Sequence, residues 1–302
     1  MGRRIVFLAL VCGMGASSAR LEGQTILAPS GRALFSGATL VRSTVEIRRS
    51  SLRTDGEWAE VTEYVPSLAV VYGFHPKWTF IAAQPFVSVD ASTHVDGSER
   101  RESSNGLADA RFFVQYDGLY RRNRPGGLTR LSGVFGLQAP TGASRFSASG
   151  VEYTGGLVFE KAMNLKLVLS ADFEHTFAAE SEEGVSVGNR SRFDAASAYF
   201  VISRSDPPPN ASWLRRFYDR AFRHGAYLVL ELNGASQDRA REGDREIEDS
   251  GGTVLSISPG IQYFVSDSLL VELSLPIPVV KVLHGVQPEP ESSFVFGFRY
   301  LF

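Results

Sequence analysis

The chain has little of several things. One cysteine, Cys12, stands among 302 residues, and lysine occurs only at positions 77, 161, 166 and 281. With Cys12 near the start, the rest of the chain has no thiol. That excludes disulfides, thiol catalysis and cysteine-based zinc or iron–sulfur sites. There is no apolar run of about 18 residues, so helical membrane spans are excluded. The five histidines (His75, His94, His175, His224, His284) fall in turns, loops or near strand ends, and no two share a metal-ligand spacing. No metal and no cofactor are expected. No basic cluster interleaves with aromatics, which speaks against nucleic acid.

What is present begins with MGRRIVFLALVCGMGASSA. Two arginines, a short apolar stretch and small residues are the layout of a secretory signal peptide cleaved after Ala19. A short buried helix is the alternative. Val11 before Cys12 is not the small residue that a lipoprotein signal requires. The expected organisation is a signal peptide over 1–19, a periplasmic segment over 20–34, and one β-domain over 35–302.

Segments of alternating polarity fill that domain. Twelve are expected, near 36–48, 58–73, 76–90, 106–120, 128–140, 150–162, 165–178, 193–204, 225–236, 252–265, 268–281 and 291–302. The last reads SSFVFGFRYLF, with an aromatic at every second position from Phe294 to Phe302. Alternation marks strands whose two faces meet different media. The joins GFHPK, EKAMN and VSDS are tight, whereas ASTHVDGSERRESSN, AAESEEGVSVGNR, SQDRAREGDREIEDSGG and LHGVQPEPE are long and polar. Short turns at one end and long loops at the other describe an outer-membrane barrel. The expected fold is therefore an all-β, twelve-stranded antiparallel transmembrane barrel of the bacterial outer membrane, both termini periplasmic.

Two joins break this rhythm. YRRNRPGG is moderately long. SDPPPNASWLRRFYDRAFRHG, an insertion near 205–224, predicts a short helix capped by Asn210. Its face of Trp213, Leu214, Phe217, Ala221 and Phe222 would lie on the lipid surface or pack under the barrel mouth.

Charges on the apolar-poor face are expected to point into the lumen: Arg42, Glu46, Glu63, Arg111, Glu160, Lys166, Asp172, Glu174, Glu231, Glu272 and Arg299. Facing lipid near the midplane, each would cost about 2–4 kcal/mol. They would line a wet pore, or pair across a narrow interior and fill it; mixed signs favour pairing. A hydrolase would need a serine, a histidine and an orienting group at one rim. Ser186, His175 and Asp194 are the nearest set, with no local support.

PSLAVVYGFHPKWTFIAAQPFV, GLADARFFVQY with GVFGLQAPTG, and the stretches YLVLELNG, SGGTVLSISPGIQYF, LLVELSLPIPV and FGFRYLF resemble the bacterial outer-membrane transporter barrels labelled as the meta-pathway phenol-degradation family. The resemblance runs from Phe35 to Phe302 and carries no catalytic residues. It implies passive passage of small, often hydrophobic molecules, with outer-membrane lipids and the barrel-assembly machinery as partners. It also implies that Phe298, Tyr300 and Phe302 form the barrel-insertion signal. A structural or partner-binding barrel without transport is the alternative, and a membrane-embedded hydrolase a third.

Overall fold

A computed structural model describes residues 34–54, 57–95, 98–124, 127–148, 150–164, 166–178, 180, 184–201, 225–266 and 268–302. The proposed signal peptide, most of the segment to residue 34, and the 205–224 insertion lie outside the described residues.

Twelve strands are β1 (Thr39–Thr54), β2 (Glu57–His75), β3 (Trp78–Val95), β4 in two segments (Ser98–Leu107 and Ala110–Arg124), β5 (Gly127–Ala139) and β6 (Glu152–Ala162). They continue with β7 (Leu167–Phe177), β8 (Arg190–Val201), β9 (Ala226–Gln237), β10 (Gly252–Phe264), β11 in two segments (Leu269–Ser274 and Ile277–Leu283) and β12 (Phe294–Leu301). Each pairs antiparallel with its sequence neighbours, and β1 pairs with β12, so the sheet closes on itself. The closing register runs from Leu40 opposite Leu301 to Ile47 opposite Phe294. Phe302 N–H donates to the Thr39 carbonyl at 2.8 Å, placing the C-terminus beside the start of β1. This is the terminal end of the barrel; the other is the loop end.

The alternation has the expected cause. On β12, Phe294, Phe296, Phe298 and Tyr300 are exposed while Val295, Gly297 and Arg299 are buried. Leu228, Leu230 and Leu232 likewise face outward, with Val229, Glu231 and Asn233 inside. On β1 to β3 the outer face changes character along its length. Tyr64, Leu68, Val70, Tyr72, Phe80 and Phe86 are exposed apolar residues, but toward the loop end the exposed residues are Arg49, Arg53, Glu60 and Asp90. That change marks the edge of the lipid band. β2 has 19 residues, against roughly 9–11 for a tilted membrane strand, so its hairpins project beyond the bilayer.

Two joins differ from expectation. The stretch ASTHVDGSERRESSN is not a loop: β3 and β4 continue through it and only positions 96–97 separate them. YRRNRPGG is likewise a hairpin, with 125–126 between β4 and β5. In both, polar residues alternate on strands that have left the membrane, so polarity alone mimics a loop. The joins after β7 and β9 pair with each other. Val185–Ser186, Arg241–Glu242 and Arg245–Glu246 form a small three-stranded sheet at the loop end.

An arginine at Leu230, which is 53% exposed, meets hydrocarbon and is expected to lower stability by about 2–4 kcal/mol. Glu60→Arg, beyond the band, is expected to shift it by less than about 0.5 kcal/mol. Equilibrium unfolding by denaturant in lipid vesicles measures both.

Candidate functional site: the barrel interior

The interior has two different walls. The first is charged. Near the terminal end, the closing register sets Arg42 directly opposite Arg299. Glu272 reaches between them: Oε1 accepts from Arg42 Nε at 2.8 Å and Oε2 from Arg299 Nη2 at 2.7 Å. Gln262 Nε2 donates to the same carboxylate at 3.2 Å. The side chains of Arg42, Glu272 and Arg299 are at most 9% exposed. Glu231 is buried nearby, and its charge acts on Arg42.

Moving around the wall, Asp194 accepts from Asn233 at 2.7 Å and pairs with Arg192 at 3.1 Å, and Arg192 meets Glu174 at 3.7 Å. Arg190 pairs with Glu152, and Arg130 with Asp117 at 3.3 Å. Arg48 meets Glu46 at 2.7 Å and Glu63 at 3.4 Å. Arg111 Nε donates to Gln138 at 2.8 Å. Glu160 and Asp172 are buried on the inner faces of β6 and β7. Val295 of β12 packs with Ala198 and Val229 of β8 and β9. With β10 and β11 intervening, that contact crosses the interior, which is therefore filled at this level.

Lys166 departs from the expected set. It is exposed in the turn before β7 and joins none of these pairs. Its parity is right, but the strand starts one residue later. Sequence reasoning missed Arg48, Asp117, Arg130, Glu152, Arg190 and Arg192. Arg190 and Arg192 fall before the expected start of their strand; Arg48, Asp117 and Glu152 have the same parity as residues chosen on their strands, and Arg130 lies on a strand from which none was chosen.

The second wall is apolar, contrary to the simple rule of lipid-facing apolar and lumen-facing polar residues. The inner positions of β2 include Val61, Val65, Ala69 and Val71, and those of β3 include Ile81, Ala83, Pro85, Val87, Val89 and Ala91. Val61, Val65, Val87, Val89 and Ala91 form one buried cluster with Ala108 and Phe146. Glu63, neutralised by Arg48, is the charge set into it.

The candidate hydrolase set does not assemble. His175 Nδ1 meets Ser191 Oγ at 2.9 Å on the outer face of the sheet, whereas Asp194 lies inside. Ser186 is instead in the loop-end sheet. Among the described residues no group of three His, Cys, Asp or Glu is placed to hold a metal ion. Phe298 and Tyr300 face outward and Phe302 is 71% exposed.

Deleting one member of a buried ion cluster strands the others. Glu272→Gln, which leaves two facing arginines, is expected to destabilise the barrel by roughly 3–5 kcal/mol. Replacing Arg42, Glu272 and Arg299 together by methionine is expected to restore much of that loss, read from the same unfolding curves.

The fold has close counterparts among solved structures. An outer membrane channel from Pseudomonas putida F1 matches with a TM-score of 0.68 at 13% identity, over 94% of this chain and 100% of that one. The transport unit of the autotransporter AIDA-I from Escherichia coli matches with a TM-score of 0.53 at 11% identity, over 98% of each. No curated protein matches the chain in sequence. The family model described as "Putative MetA-pathway of phenol degradation" matches residues 58–277, well over half of the chain, and this protein belongs to that family.

Proposed function

We propose that this protein is an outer-membrane channel for passive passage of small hydrophobic molecules, with no catalytic step. The observation that carries the reading is the apolar inner wall of β2 and β3. A barrel that only needs filling can use paired charges, as most of its other strands do. An apolar strip inside a polar lumen offers a solute of low polarity a surface without desolvating protein charges. The P. putida structure is named a channel, which agrees with this reading.

In this reading the terminal end faces the periplasm, because the described turns at 76–77 and 163–166 are tight and, the 202–224 connection apart, the longer connections lie at the other end. Residues 1–19 are the export signal. Phe298, Tyr300 and Phe302 serve the barrel-assembly machinery, and outer-membrane lipids cover the exposed apolar band. Arg42, Glu46, Glu63, Arg111, Glu160, Asp172, Glu174, Glu231, Glu272 and Arg299 line the interior and hold its shape.

A structural barrel without transport is the second reading, favoured by the burial of the terminal-end cluster, where Glu231, Gln262 and Glu272 are each 1% exposed. Uptake of radiolabelled toluene by cells expressing the protein, against cells carrying an empty vector, separates the two. Faster uptake is expected of the channel. Equal rates, with the protein shown to be inserted, favour the structural reading.

A further inference from the structure

The connection from β5 to β6 is not a free loop. Residues 140–148 turn back into the barrel, and Phe146, 6% exposed, seats its ring in the apolar wall. Gly106 on the inner face of β4 makes room: a Cβ there would lie 3.0 Å from the Phe146 ring and 3.0 Å from Ala143 Cβ.

One buried carboxylate holds this segment. β4 is interrupted between Leu107 and Ala110, where three of its residues (108–110) face two of β3 (84–85). Such an insertion re-aims a side chain and frees backbone groups. Asp109, 2% exposed, lies at its centre. Its Oδ1 accepts from Gly142 N–H at 2.9 Å, and its Oδ2 from Ala148 N–H at 2.8 Å and Gln138 Nε2 at 3.3 Å. The two backbone donors flank Phe146 in the chain. The remaining contacts are also local to the break. Ala143 N–H donates to the Leu107 carbonyl at 2.9 Å, and Ala110 N–H to Thr141 Oγ1 at 3.0 Å. Gln84 Nε2 caps the Ala108 carbonyl at 2.7 Å.

We propose that Phe146 is the specificity-determining gate of the apolar path and that Asp109 is its positioning residue, latching residues 140–148 in the seated state. This rests on the channel reading above. A solute that follows the β2–β3 wall meets Phe146 across its track. It passes when the ring yields, which an apolar molecule can induce by taking the ring's place in the cluster that includes Val61, Val65, Val87 and Val89. A polar solute offers no such replacement. A single side chain holds the segment on both sides of Phe146, with the Ala143 and Thr141 contacts beside the first of these bonds, so loss of the carboxylate frees the stretch that follows the ring. Their geometry also explains the choice of aspartate: an ionised carboxylate only accepts, and all three partners donate.

The test combines Phe146→Ala, Asp109→Ala and the double variant, each shown to be inserted by its heat-modifiable mobility in gels. Phe146→Ala is expected to raise ion conductance in planar bilayers and to admit small polar solutes, lowering the preference for toluene over a neutral polar solute such as glycerol by about tenfold. Asp109→Ala, which removes three hydrogen bonds to the carboxylate, is expected to do the same. The double variant should add little, because two changes on one device are not additive. A Phe146→Cys probe, in a chain whose other cysteine is Cys12, reports the seat directly. Its modification by a thiol reagent is expected to be slow with Asp109 present and at least about tenfold faster with Asp109→Asn.

Conducting wild-type protein with an unchanged Phe146→Ala variant overturns the gate and leaves the channel standing. Additive effects of the two substitutions, or labelling indifferent to residue 109, overturn the latch. Silence of wild type and every variant toward all solutes overturns the channel reading and the gate with it.

Discussion

A β-sheet in hydrocarbon has no water to satisfy an unpaired edge, so it must close. Here closure is the pairing of β1 with β12, and much of the interior follows from its register. That register places Arg42 opposite Arg299 on the inner face, and like charges directly across a ladder repel. Glu272, on the strand that β12 pairs with on its other side, resolves the conflict with one oxygen for each guanidinium. Three strands are thereby pinned at one level. A buried ion cluster of this kind adds little net stability. It does specify which residues may face each other, and a seam between the first and last strands of a chain is the pairing that most needs such specification. Its contacts span the whole sequence, so it carries the largest loop-closure entropy.

With the seam set, twelve strands enclose a narrow interior, between barrels filled by side chains and those open to solvent. Charges drawn into so small a volume must be paired, and most strands from β4 to β12 carry paired charges on their inner face; β10 has no charged residue, and Ala198, Val229 and Val295 add one apolar contact. The β2–β3 wall escapes this requirement because it carries one charge, Glu63, with Arg48 beside it. The contrast between walls is therefore an asymmetry across the lumen, and in the channel reading it gives a passing molecule one side to follow. Phe146 stands on that side.

Most of the architecture was legible because the lipid band enforces period two on every strand that crosses it. Leu228, Leu230 and Leu232, or the aromatics of β12, have no other reading once a barrel is supposed. Legibility fades where that pressure stops. Beyond the band, the ends of β3 and β4 are polar on both faces, so THVDGSERRESS looks like a loop although its backbone pairs up to Val95 and from Ser98. Arg190 and Arg192 belong to the same zone. The apolar wall fails for the opposite reason. In PSLAVVYGF both faces are apolar, Leu68 and Val70 for lipid and Ala69 and Val71 for the interior, so the alternation carries no contrast to read. Phe146 was hidden by its setting in TGASRFSASG, whose small polar residues describe a solvated loop. Nothing local shows that its amides converge on an aspartate some 33 to 39 residues earlier.

That convergence ties the interrupted strand to the path through the barrel. A regular β4 would commit the amide of residue 110 to the ladder and send the side chains at 108 and 109 to opposite faces. The extra residue lets Ala108 join the apolar cluster while Asp109 turns toward the incoming segment, and Gln84 and Thr141 take up the backbone groups left over. Gly142 is required by the same approach: a Cβ there would lie 2.9 Å from the Leu107 carbonyl oxygen and 2.9 Å from Asp109 Oδ1. Through Gln138, which donates to Asp109 and accepts from Arg111, the latch is also joined to the charged wall. The two walls are thus not independent. The charge network that keeps the small barrel in shape also fixes the side chain from which the gate on its apolar side is hung.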